Sequence, residues 1–179
     1  MAQEFETKIL DINVEEIEKK LINLGAKEQQ EVLMKRWIFD IDPENYEWIR
    51  LRHNGHKATI TYKKKSGTAI SETEEIETEV DDFKKAATIL SKIDFKENYY
   101  QENKRKLFVL DDIEFTIDTW PHVPAYLEIE SSNEKKVNQG LSLLGLTGQD
   151  VGNLSVKNVY LKYDLDIHSY PVLKFENGK

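Results

Sequence analysis

Cysteine is absent from the 179 residues. That excludes disulfides, zinc–thiolate sites, iron–sulfur clusters and thiol catalysis. No apolar run approaches the ~18 residues needed to span a bilayer. The start, Met1-Ala2-Gln3-Glu4, lacks the basic and apolar regions of a signal peptide, so a cytoplasmic location is expected. Basic side chains are in the minority, 25 against 33 acidic ones, and the formal net charge is -8. Coating nucleic acid or an anionic membrane requires a cationic surface, so neither is an expected partner. The four histidines, His53, His56, His122 and His168, show no metal-ligand spacing, and no Ser/His/Asp set is readable. Gly145-Leu146-Thr147-Gly148 lacks the lysine of a phosphate-binding P-loop and reads as a helix-ending turn.

What is present is a folded, charged chain, 39% apolar and 32% charged, with no low-complexity linker. Its length suits one hydrophobic core, so residues 1–167 are expected to form a single domain, with an extended tail at 168–179. Residues 3–10 alternate strictly, and further strand-like segments follow at 31–40, 47–54, 57–64, 72–80, 99–109, 112–120 and 124–131. Asn54-Gly55 predicts a tight hairpin turn and Leu110-Asp111-Asp112 another turn. Amphipathic helices are expected at 14–24, capped by Asn13, at 82–93, at 134–144 and over 150–163.

The strands carry charge in period 2. Glu4, Glu6 and Lys8 share one side of the first; Arg50 and Arg52, beside Trp48, share a side of another. Thr59, Thr61 and Lys63 oppose Ile60 and Tyr62, and Glu75, Glu77 and Glu79 oppose Ile76 and Val80. Glu114, Thr116 and Asp118 oppose Phe115 and Ile117, while Glu128 and Glu130 oppose Leu127 and Ile129. A solvated face explains any one of these strands. Applied to all of them, that reading leaves like charges two residues apart on strand after strand. If the charged faces curl together, eight antiparallel strands close into a barrel with a lumen of carboxylates and cations, its apolar outside covered by the helices.

Carboxylates without His or Cys partners are hard ligands that favour Mg²⁺ or Mn²⁺. Arginine and lysine grip phosphate oxygens, as a fork and as a point charge. A site holding both suits a metal-bound polyphosphate. Trp37, Phe39 and Trp48 could stack on a base, although aromatic strand residues more often serve packing.

Glu4-Phe5-Glu6-Thr7-Lys8 resembles the ExExK signature of the CYTH domain, shared by class IV adenylyl cyclases and thiamine triphosphatases, the triphosphate tunnel metalloenzymes. Further matches follow in family order: Arg50-Leu51-Arg52, Thr61-Tyr62-Lys63, Glu75-Ile76-Glu77, Arg105, Asp118 and Leu127-Glu128-Ile129-Glu130. Asp118-Thr119-Trp120-Pro121 is similar to bacterial members assigned as class IV cyclases.

The resemblance implies an α+β fold, an eight-stranded antiparallel β-barrel enclosing a triphosphate tunnel with amphipathic helices outside. It assigns substrate binding to Lys8, Arg50, Arg52, Lys63 and Arg105, with Lys157 as a late addition, and metal binding to Glu4, Glu6, Glu77, Asp118, Glu128 and Glu130. Lys8, Arg105 and Asp118 are the catalytic candidates. The cofactor would be Mg²⁺ or Mn²⁺, and the partner ATP, inorganic triphosphate or thiamine triphosphate; a homodimer is compatible with the sequence. The activity would be ATP cyclisation to cyclic AMP and pyrophosphate or, alternatively, triphosphate hydrolysis; a non-catalytic polyphosphate or nucleotide binding module is the third reading. One departure stands out: Asn103 occupies the place of a family lysine, and Lys104 and Lys106 should face the other side of their strand.

Overall fold

A computed structural model describes residues 5–42, 44, 46–65, 73–95 and 97–176. Along the chain lie β1 (Phe5–Ile9), α1 (Val14–Asn23), β2 (Lys27–Glu28), β3 (Val32–Asp42), β4 (Glu47–His53), β5 (Ala58–Lys65) and β6 (Thr73–Val80). Then come α2 (Phe83–Leu90), β7 (Glu97–Leu110), β8 (Ile113–Thr119), β9 (Tyr126–Ser131), α3 (Glu134–Leu144), α4 (Val156–Leu161) and β10 (Val172–Leu173). The expected α+β class holds, and eight strands form the main path of one sheet, in the order β1-β9-β8-β7-β3-β4-β5-β6. Its pairings β1–β9, β9–β8, β8–β7, β3–β4, β4–β5 and β5–β6 are antiparallel. Two short strands join β7 off this path, β2 antiparallel and β10 parallel.

The chain divides into two compact units, Met1–Val32 with Asn103–Ile167 and Leu33–Glu102 with His168–Lys179. In the first, α1 and α3 cover one face of the sheet. Ile17 and Leu21 of α1 and Val137, Leu141 and Leu144 of α3 pack on Ile9, Phe108, Ile113, Phe115, Ile117, Leu127 and Ile129. In the second, Ala86 and Leu90 of α2 pack on Phe39 and Leu51, joined by Trp37, Ile49, Ile60 and Phe83. Trp37 and Phe39 are thus packing residues. The segment after the first unit is anchored too: Leu173 is buried, and Tyr100 N–H donates to Pro171 O at 2.9 Å.

The helix ends follow their caps. Asn13, Asp82, Asn133 and Ser155 each accept a backbone N–H from three residues on, satisfying a donor that the helix leaves open. The expected helix over 150–163 begins only at Val156. Residues 150–152 do something else: Val151 N–H donates to Lys8 O at 2.8 Å, and Gly152 O accepts from Lys8 N–H at 3.1 Å. Gly152 adopts the left-handed φ of 72° that this turn requires. The hairpin expected at Asn54-Gly55 turns tightly around Gly55 and His56: Asn54 N–H donates to Lys57 O at 3.1 Å, Gly55 takes a φ of 91°, and Asn54 Oδ1 accepts from His56 N and Lys57 N.

Gly140 is where α3 comes closest to the sheet. A Cβ there would lie 2.9 Å from Ile129 Cγ2, 3.2 Å from Phe115 and 3.3 Å from Ile113. Alanine would gain up to about 1 kcal/mol in helix propensity, but overpacking a filled core costs about 1–3 kcal/mol. Urea denaturation should therefore find Gly140→Ala less stable than the parent by on the order of 1 kcal/mol; a higher midpoint would contradict this packing.

Candidate functional site

Strand registry builds the charged face of the first unit. β1 lies on β9 with Glu6 opposite Glu130 and Lys8 opposite Glu128. β8 continues the row with Thr116 opposite Glu128 and Asp118 opposite Tyr126, and Arg105 of β7 sits opposite Asp118. Because side chains alternate across a strand, these residues share the face turned away from α1 and α3. Carboxylate oxygens of Glu6, Glu128 and Glu130 all lie within 4.8 Å of one another. Lys8 Nζ stands 2.8 Å from Glu128 Oε2 and 3.3 Å from Glu6 Oε1.

Asp118, fully buried, is held differently. Arg105 donates to it twice, Nε to Oδ1 at 2.9 Å and Nη2 to Oδ2 at 2.6 Å, and Asn103 Nδ2 adds a third bond to Oδ1 at 3.0 Å. The same guanidinium reaches Glu128 Oε1 at 3.4 Å. Burial alone would make Arg105 and Lys8 easier to deprotonate, but Asp118 and Glu128 outweigh it and raise both. Glu6 moves the other way in effect: burial, then the Glu128 charge, raises its carboxyl above the ordinary range. Burial and the neighbouring carboxylate thus both work against a full negative charge on Glu6. An all-oxygen set in that electrostatic state fits Mg²⁺ or Mn²⁺.

The second unit carries a cationic face. Arg50 of β4 lies opposite Thr61 of β5, itself opposite Glu77 of β6, and Trp48 lies opposite Lys63, itself opposite Glu75. Arg36 of β3 sits opposite Arg52. Thr61 Oγ1 donates to Glu77 at 2.6 Å, Arg50 Nη2 is 3.8 Å from Glu77, and Lys63 pairs with Glu75. The Thr61 hydroxyl, followed by the neighbouring arginines, lowers the Glu77 carboxyl. Burial and the adjacent Arg52 pull the Arg50 guanidinium down to about 10, and burial lowers Lys63. Arg50 Nε is buried with no acceptor among the described residues. Crowded, desolvated cations of this kind would be relieved by a multiply charged anion.

The sequence matches the CYTH domain over residues 2–149. The chain belongs to the CYTH domain family. A Methanocaldococcus jannaschii protein provisionally named an adenylate cyclase is 33% identical over 139 residues, covering 74% of this chain and 79% of that protein. Among solved structures, the PH1012 protein of Pyrococcus horikoshii OT3 superposes with a TM-score of 0.69 at 24% identity, over 88% of this chain and 99% of that one. A Hippeastrum protein, provisionally an adenylyl cyclase and described as having a dominant triphosphatase activity, gives 0.56 at 16% identity, over 94% and 100%.

Within this CYTH fold the residues singled out from the sequence take distinct places. Glu6, Lys8, Arg105, Asp118, Glu128 and Glu130 come together on one face of the first unit. Asp118 is there as the partner of Arg105 and Asn103, not in the three-carboxylate group. Arg50, Arg52, Lys63 and Glu77 share the cationic face of the second unit. Glu4 lies outside the described residues. Lys157 is exposed on α4 and forms no ion pair or hydrogen bond among the described residues. Lys104 and Lys106 do face the other way, Lys106 pairing with Glu18 and Glu28. Trp48, partly exposed, lies on the charged face of β4, unlike Trp37.

One residue was missed, and Asn103 was read only as a departure from the family pattern. Arg36 joins the cationic face, its Nε donating to Gln101 Oε1 at 2.9 Å; the adjacent Lys35 hides which of the pair faces inward, and only the β3–β4 register resolves it. Asn103 proves to be a buried clamp on Asp118.

Neutralising Asp118 should damage the fold more than neutralising Glu130. Asp118→Asn breaks a buried, doubly bonded ion pair, a loss on the order of 3 kcal/mol, whereas Glu130→Gln on a partly exposed site should stay within about 1 kcal/mol. Chemical denaturation without metal will measure both; equal losses would contradict the assignment of Asp118 as the anchor of Arg105.

Proposed function

We propose that this CYTH protein is a divalent-metal-dependent enzyme acting on an organic triphosphate, with adenylyl cyclase chemistry of the class IV type as its reaction. The observation that carries the reading is the group of Glu6, Glu128 and Glu130 lying beside Lys8 and Arg105 on one sheet face. Glu6, Glu128 and Glu130 would hold the metal. When bound, Mg²⁺ or Mn²⁺ would neutralise phosphate charge and act as a Lewis acid.

Lys8 and Arg105 would donate to phosphate oxygens, and Asp118 with Asn103 would fix the Arg105 fork, so that charge developing in the transition state meets donors already in place. Family resemblance assigns Arg50, Arg52 and Lys63 to triphosphate binding, and their crowding supports an anion-binding role. In the cyclising reaction the ribose 3′-oxygen attacks the α-phosphorus, the bond to the β-phosphate breaks, pyrophosphate leaves and the hydroxyl proton is lost to solvent. Phosphoryl chemistry of this kind depends mainly on positioning and charge. Hydrolysis by water is the second reading; the dominant triphosphatase activity described for the Hippeastrum structural neighbour favours it.

Incubating the protein with Mg²⁺ or Mn²⁺ and ATP, inorganic triphosphate or thiamine triphosphate, then resolving the products, separates the readings. Cyclic AMP with pyrophosphate is expected; orthophosphate would favour the triphosphatase, and binding without turnover a sensor. Chelation should abolish turnover, and the Glu6→Ala/Glu130→Ala double variant should lose at least about a hundredfold; full metal-dependent activity in that variant sinks the metal assignment. Trp48 bears on the organic part of the substrate. Because base stacking on an aromatic contributes about 1–3 kcal/mol, Trp48→Ala should raise KM for ATP roughly tenfold or more, and leave binding of inorganic triphosphate unchanged.

A further inference from the structure

We infer that Lys8 is the internal counter-ion of the carboxylate group, and that divalent cation and triphosphate reinforce each other's binding because the first displaces the Lys8 ammonium and the second receives it. This rests on reading Glu6, Glu128 and Glu130 as the divalent-cation site. The Lys8 side chain is 4% exposed, and its Nζ contacts two of the three carboxylates, at 2.8 and 3.3 Å. Both belong to the group of three carboxylates that a metal ion would use. A metal ion and an ammonium compete for the same lone pairs and repel each other, so they do not share them at contact distance.

The lysine backbone is not free to withdraw. It is paired with Glu128 across β9, and on its other edge its N–H and C=O bond Gly152 and Val151. Displacement therefore falls to the side chain alone. A buried ammonium parted from its carboxylate is costly until another anion meets it. A phosphate oxygen is an anionic acceptor of the required kind. Each ligand thus removes part of the cost of binding the other, which is positive coupling between them.

The test separates the two ligands. Mn²⁺ alone is titrated into metal-free, full-length protein and followed by the spin-resonance signal of free Mn²⁺. Lys8→Met and Lys8→Gln should bind it at least about tenfold tighter than the parent, because a unit positive charge about 4 Å away is gone. Inorganic triphosphate, titrated calorimetrically at saturating Mn²⁺, should bind both variants at least about tenfold more weakly, since a charged hydrogen bond is lost, whereas in EDTA, where Lys8 stays on its carboxylates, parent and variants should differ less. If a variant is unfolded without metal, the melting temperature with and without Mn²⁺ replaces the titration, and Mn²⁺ should raise it more in the variant than in the parent. Folded variants that bind Mn²⁺ no tighter than the parent overturn the inference while leaving the metal site standing. A parent that binds no Mn²⁺ at millimolar concentration overturns the metal-site reading and the inference together.

Discussion

The register of β1 on β9 is the constraint on which the first unit depends. It sets Lys8 against Glu128 and Glu6 against Glu130, and in the same stroke turns Ile9, Leu127 and Ile129 towards α1 and α3. A slip of one residue would exchange the two faces, putting Glu6 and Lys8 among Leu21, Leu141 and Phe115 and exposing the core. Burial of that apolar face, at about 1.5–3 kcal/mol for each large side chain, therefore holds the charged face in place. The site is selected by hydrophobic packing on the side of the sheet that does no chemistry. Gly140 sharpens the point, since α3 sits close enough to the sheet that a methyl group would collide with Ile129.

Charge on the opposite face is costly, and its pairing limits the cost. Asp118 takes three hydrogen bonds from Arg105 and Asn103, so the most buried acid is also the most completely engaged. That makes it the anchor of a guanidinium. Asparagine at 103 has a physical role in this arrangement. A lysine there would bring a second positive charge to a carboxylate already clamped by Arg105, whereas the amide adds a donor without adding charge.

Much of this was legible in the sequence because it is periodic. The alternation of Glu6 and Lys8, of Arg50 and Arg52, and of Glu128 and Glu130 assigned their faces, and the order of these motifs carried the family resemblance. The helix start at Asn13 was readable from local capping chemistry, while the caps Asp82 and Asn133 emerge from the structure. What escaped was long-range. Nothing local in residues 150–155 reports that Val151 and Gly152 bond the backbone of Lys8, more than 140 positions away, so the segment was read as part of the last helix. Arg36 escaped because Lys35 precedes it and only pairing with Arg52 fixes its side. The Asn103–Asp118 bond likewise depends on the β7–β8 register.

The net charge of -8 takes on a different meaning once the charged residues are sorted by unit. Taken together, the site residues read from the sequence are nearly neutral, yet the two units differ. In the first, Glu6, Asp118, Glu128 and Glu130 outnumber Lys8 and Arg105; in the second, Arg36, Arg50, Arg52 and Lys63 share their face with Asp40, Glu75, Glu77 and Glu79. Electrostatic strain follows the same division. Glu6 is held above its ordinary range and Arg50 below it, each by burial and then by a like-charged neighbour. A free divalent cation would relieve only the first and a free polyanion only the second.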